Sequence, residues 1–164
     1  LRGEAQFLLC HRHADVAGRL DTAGFRSIEV GADTLVPVSA PRGPGDPQPL
    51  HALPGSAAAP LPLLAPTEAS GLSRALAAAR AQLGHAHLRP AFTAHLATVL
   101  AAMARDGRGL AWVPRRLAAD DLDAGRLVAA GDEAWTVPVG IRLYRPRLLP
   151  GAAAARLWAA AGGD

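Results

Sequence analysis

Between Gly107 and Pro114 the chain reads Gly-Arg-Gly-Leu-Ala-Trp-Val-Pro, a pattern that leaves a polypeptide few choices. The run before it places Phe92, Leu96, Val99, Leu100 and Met103 on one side at helical spacing, so Thr93 to Arg105 is expected to be a surface helix covering a core. Gly107 can enter the left-handed conformation that ends such a helix, and Gly109 adds a second flexible point. Leu110 to Val113 is then a buried strand. Pro114 stops that strand and can open the next helix, because a proline in the first turn gives up no needed donor. The expected order is helix, glycine turn, strand, proline, helix.

The remainder of the chain must build a core around this unit. Half of its 164 residues are hydrophobic, enough for one domain or two small lobes. All seventeen basic residues are Arg, and the apolar half is dominated by Ala, which reads as coding bias. The pI near 10.3 invites a nucleic-acid reading, but the net charge is only +3. The arginines are scattered and no aromatic residues alternate with them, so a solvated face explains them better than a DNA surface. One cysteine, Cys10, cannot form an internal disulfide and fits a reducing cytoplasm. No leader-like segment opens the chain and no apolar run approaches a membrane span, so a soluble, cytoplasmic protein without membrane partners is expected.

Gln6 to Cys10 reads as a short buried strand of a parallel sheet, with His11-Arg12-His13 at its C-terminal end, where open α/β sheets bind ligands. A solvated loop that happens to carry two imidazoles stands beside that reading. Cys10 reads as a small core residue, or as a redox candidate if its sulfur faces a cleft among these basic neighbours. Gly24 to Val30 and Asp33 to Val38 alternate at period two and predict two strands separated by a Gly-Ala turn. Seven prolines between Pro41 and Pro62 make that segment a flexible surface excursion.

Leu61 to Ala65 predicts a strand, and Thr67 and Ser70 stand before a helix carrying Leu72, Leu76, Ala79 and Leu83 and ending at Gly84. The free amides of such a helix start suit an anion or carboxylate, and the same argument applies to Thr93 and His95 at the start of the next helix. In each place simple capping is the alternative. His11-x-His13 and His85-x-His87 are two half-sites on separate loops, with nothing in the spacing to converge them, so no metal is expected. Trp135 to Arg145 predicts a strand, with Pro138 disfavouring a fully paired position, and Gly151 to Ala161 a last helix. Trp112 and Trp158 read as core anchors. No nucleophile-base pair, phosphate loop or paired carboxylates are visible, so neither an enzyme nor a cofactor is expected.

The order helix-Gly-x-Gly-Leu-Ala-Trp-Val-Pro, then Arg115-Arg116, Asp121-Leu122, Gly125-Arg126-Leu127-Val128 and Ile141-Arg142-Leu143-Tyr144-Arg145, resembles the effector-binding (substrate-binding) domain of LysR-type bacterial transcription regulators. Asp33 to Val38 and Leu63 to Thr67 extend the resemblance backwards over nearly the whole chain. It implies an α/β, two-lobed, periplasmic-binding-protein-like (type 2) fold with two crossover strands. The first lobe, residues 1–38 and 130–164, would be incomplete, and 39–129 would form the second. The family's DNA-binding winged helix-turn-helix has no counterpart here, so DNA would be reached only through that absent part.

The resemblance also implies a function: reversible binding of a small-molecule effector between the lobes, changing the geometry of a homo-oligomer, a dimer or tetramer, and so transcription. Effector-binding candidates are Thr67, Ser70, Gly71, Thr93, His11 and His13, and hinge candidates are Val38, Ser39, Ala129 and Ala130. Two alternatives share the plan. One is a periplasmic-type solute-binding protein, which would need a secretion signal. The other is an oxidant-sensing regulator domain using Cys10 or Met103.

Overall fold

The computed structural model of the chain describes residues 5–14, 24–148 and 151–163. Expectations that fall on 15–23, the greater part of the ambiguous stretch after His13, lie outside the described residues. The chain divides into two compact units, Leu1–Asp33 with Val139–Asp164, and Thr34–Pro138.

The first unit is built on β1 (Leu8–Arg12) paired antiparallel with β7 (Val137–Arg145), in a register running from Leu8 opposite Tyr144 to Arg12 opposite Gly140. This corrects the parallel, buried strand expected from the Gln6 to Cys10 run. Leu8 and Leu9 remain 44% and 60% exposed. A run of four apolar residues, Phe7 to Cys10, carries no period that fixes strand direction or burial, and here the partner strand decides both. The last helix, α5 (Ala152–Ala160), buries Ala154 and Trp158. Arg145 stacks its guanidinium 4.6 Å from the Trp158 ring and donates from Nη1 to the carbonyls of Pro146 and Arg147. Its Nε is buried without a partner.

One 14-residue strand, β2 (Arg26–Ser39), replaces the two expected between Gly24 and Val38. Gly31 was the predicted turn, but its φ is not positive and the chain runs straight through it. A side chain there would meet only Ile141 Cδ1 in ordinary contact, at 3.8 Å. Glycine permits a turn without requiring one.

In the second unit the C-terminal half of β2 pairs antiparallel with β5 (Ala111–Pro114), Leu35 opposite Pro114 and Val38 opposite Ala111. The short β6 (Val128–Ala129) flanks Val38 and Ser39. A second pair, β3 (Leu61–Pro66) and β4 (Leu88–Ala94), is parallel, with an irregularity between Leu63 and Leu64. β3 joins the segment before β5 through Leu64 N–H to Leu110 O at 2.9 Å and Leu110 N–H to Pro62 O at 2.9 Å. That approach explains Gly109: a Cβ would lie within 3 Å of the Pro62 carbonyl oxygen. Gly107 takes the left-handed conformation, φ +73°, as the sequence predicts.

The helix before it, α3 (Ala97–Arg105), starts later than expected. Phe92 and Thr93 belong to β4, and the buried face is Leu100, Ala101 and Ala104, while Leu96 is 62% exposed and Val99 is also outside the core. After β5 comes α4 (Arg115–Asp123), with Pro114 as its cap residue. Val36, Val38, Leu64, Leu100, Ala111, Val113, Ala118 and Leu127 close one core. On the other side Trp112 Nε1 donates to the Trp135 carbonyl at 2.8 Å, within a 3-10 turn (Glu133–Trp135). Trp112 here and Trp158 in the first unit are both buried, as expected of anchors, and Trp135 joins them.

Asp121 ties the helices together. One carboxylate oxygen accepts from Arg105 Nη1 at 2.8 Å and the other from Arg126 Nε at 2.5 Å. The hydrogen bond from Arg126 and the charge of Arg105 hold the carboxyl below its ordinary value, against burial acting the other way.

The proline-rich excursion is a surface loop, and it is pinned at several points. Ala40 N–H donates to Ala104 O, Leu53 N–H to Ala130 O and His87 N–H to Pro54 O. Buried Ser39 accepts from His51 N–H at 3.1 Å, and His51 Nε2 lies 3.1 Å from Gly107 O. Prolines prevented a ladder there, yet the remaining amides found partners.

Candidate functional site

The polar residues that converge in the second unit do so at the C-terminal ends of the parallel strands β3 and β4. The register ends with Pro66 opposite Ala94. One residue further on, Thr67 and His95 face each other, with Thr67 Oγ1 2.7 Å from His95 Nδ1. Thr67 N–H also donates to Ala94 O at 3.0 Å, which carries the pairing past the last strand residue. With the hydroxyl on Nδ1, the imidazole keeps Nε2 for another partner.

Thr67 then turns the chain into α1 (Gly71–Ala78): its carbonyl accepts from Ser70 N–H at 2.9 Å. Ser70 is the cap of that helix, its Oγ accepting from Ser73 N–H at 3.0 Å. Gly71 is the first helical residue. The Thr67 carbonyl and the Ser70 cap take two of the four amides that a helix start leaves unpaired, and the remaining two, of Gly71 and Leu72, give anion-binding capacity beside Thr67 and His95. The expected single helix to Leu83 is broken at Ala79, where a second short helix, α2 (Arg80–Leu83), begins.

Thr93 does not stand at a helix start, contrary to expectation. It is an exposed residue of β4, opposite Ala65. The start of α3 is capped by Leu96, which has no side-chain hydrogen bond to give. Phe92 and Thr93 are an aromatic and a β-branched residue, types that fit a pleated strand, and pairing with β3 captures them. His95, which the sequence offered only beside Thr93 at an expected helix start and not among the effector-binding candidates, is the partner that the structure gives Thr67. Its signal was positional: in a parallel pair the residues just past both strand ends meet.

His11 and His13 belong to the first unit. His11, in β1, has Nε2 3.8 Å from Asp33 Oδ2, a carboxylate only 4% exposed. His13 follows the strand. Cys10 is half-buried and lies opposite Arg142 in the β1–β7 register. Val38, Ser39, Ala129 and Ala130 lie inside the second unit, Val38 opposite Ala129, with Ala130 N–H donating to Pro37 O at 2.9 Å. His85 packs its ring 4.2 Å from Trp135. Among the described residues, no three His, Cys, Asp or Glu side chains are grouped to hold a metal ion. Nor is any helix among them long and apolar enough to cross a membrane.

The fold is shared with solved structures of bacterial regulators. The regulatory domain of HypT from Salmonella typhimurium in its apo form superposes with a TM-score of 0.79 at 22% identity, covering 98% of this chain and 72% of that one. DarR from Vibrio fischeri, solved in complex with DNA, gives 0.77 at 21% identity, covering 97% of this chain and 51% of that one. Full-length LysG from Corynebacterium glutamicum, with bound effector Arg, gives 0.63 at 22% identity, covering 98% of this chain and 51% of that one. No curated protein matches the chain. The family model described as the LysR substrate binding domain matches residues 3–162, and the chain belongs to that family of periplasmic-binding-protein-like α/β domains.

Proposed function

We propose that this chain is the effector-sensing part of a LysR-type transcription regulator and binds a small molecule reversibly, without transforming it. The effector's polar group engages Thr67, His95 and the amides at the start of α1, with Ser70 and Gly71 shaping that turn and Thr93 on the adjoining strand. Family membership supports the sensing role. The observation that carries the placement is the 2.7 Å contact of Thr67 Oγ1 with His95 Nδ1 at the ends of two parallel strands. A hydroxyl, an imidazole and unpaired amides together suit a carboxylate or other oxyanion. Ligand occupancy changes the assembly of the full regulator, and DNA is contacted by another part of it, provided the ligand binds two states unequally.

A thermal-shift screen of small carboxylates against the chain tests this. A ligand at a hundred times its Kd stabilises by about 2.7 kcal/mol, a rise of roughly 5 to 10 °C for a domain of this size. At the same ligand concentration the rise should fall by about half or more in Thr67→Val and in His95→Ala. If both variants keep the full shift, the strand-end placement is wrong.

A further inference from the structure

A separate hollow of about 180 Å³ opens within the second unit, between α4, β2 and the 3-10 turn. Its floor reaches Val36 and Val38, which are buried, and Leu122 of α4 adds an apolar wall. Arg115, the first residue of α4, lines one side, while Asp132 and Glu133 line another. These charges do not neutralise each other in the folded chain: among the described residues neither the Arg115 nor the Glu133 side chain has an ion-pair or hydrogen-bond partner. Asp132 spends one carboxylate oxygen on Ala134 N–H at 3.1 Å and keeps the other.

An apolar floor with a few converging polar groups is how proteins hold small ligands. A guanidinium matches a carboxylate in a planar fork, and two carboxylates match an ammonium. We propose that this hollow binds a small amino-acid zwitterion, its carboxylate on Arg115, its ammonium on Glu133 and Asp132, and its aliphatic body over Val36, Val38 and Leu122. The site is distinct from the strand ends at Thr67 and His95, and neither reading rests on the other.

Amide chemical-shift titration of the chain with L-leucine and with 6-aminohexanoate, which differ in charge separation, tests it. Saturable shifts are expected at Arg115, Asp132 and Glu133 with at least one probe. Losing one charge-assisted contact should weaken that binding about ten-fold or more in Arg115→Gln and in Glu133→Gln. Isopentylamine, which lacks the carboxylate, should bind Arg115→Gln as well as it binds the unaltered chain. Both substitutions are at exposed positions and leave the core intact. Absence of saturable shifts with both probes overturns the proposal. So does unchanged affinity in either variant, or shifts that cluster at Thr67 and His95 instead.

Discussion

Asp121 shows how far one side chain can organise its surroundings. Its carboxylate holds Arg105 of α3 and Arg126 beyond α4, and its backbone carbonyl accepts from the amides of Arg126 and Leu127. The carboxyl ionises more readily in the folded chain than its ordinary value of 3.8. The stability it contributes is therefore complete above that value and is lost as pH falls through the lower native one. The two arginines are 42% and 52% exposed, so solvent screens the pair. Asp121→Asn should cost about 1 kcal/mol at neutral pH, and its urea midpoint should fall less steeply than that of the unaltered chain below about pH 4. Parallel acid limbs for the two proteins would show that the carboxylate adds nothing. At this scale the sequence was partly readable. Gly107 announced its left-handed turn, because few other residues tolerate one, whereas Gly109 read only as a flexible point and is in fact a close backbone approach. The Arg105–Asp121–Arg126 cluster was not readable, since its members are 16 and 5 residues apart and only folding brings them together.

α3 is the element where pattern and structure part. Phe92, Leu96, Val99, Leu100 and Met103 satisfy a helical period, yet Leu100, Ala101 and Ala104 face the core. Alanine carries little hydrophobic signal, so in an alanine-rich chain the buried stripe is hidden and the larger exposed residues suggest a false one. The observed register makes opposed predictions for two leucines. Leu100→Ala should cost about 3 kcal/mol in urea denaturation, whereas Leu96→Ala should stay within about 0.5 kcal/mol. Leu96 occupies an extended cap position, φ −102° and ψ 128°, with no oxygen to offer the first turn. Leu96→Asp should therefore stabilise the protein by about 1 kcal/mol. Equal losses at Leu96 and Leu100 would restore the register that the spacing suggested.

On the scale of the molecule, the two-part α/β plan and its passages through β2 and β7 were legible, because the Trp-Val-Pro and Ile-Arg-Leu-Tyr-Arg stretches come in a recognisable order. Strand directions in the first unit were not, since β1 takes its orientation from β7, more than 120 residues away. The burial of the two units also differs. The second holds the packed cluster from Val36 to Leu127, while β1 leaves Leu8 and Leu9 largely in solvent. Hydrogen exchange should follow that difference, with amides of β1 exchanging roughly ten-fold or more faster than those of β5, through smaller openings. Uniform protection across both strands would mean that the chain opens as one cooperative body.

The first unit is assembled from residues at both ends of the chain, Leu1–Asp33 and Val139–Asp164, with the whole second unit inserted between them. During translation β1 therefore waits for β7, while the inserted unit is already complete. The order of birth follows: the middle of the polypeptide can settle on the ribosome, and the flanking segments join only once β7 has emerged.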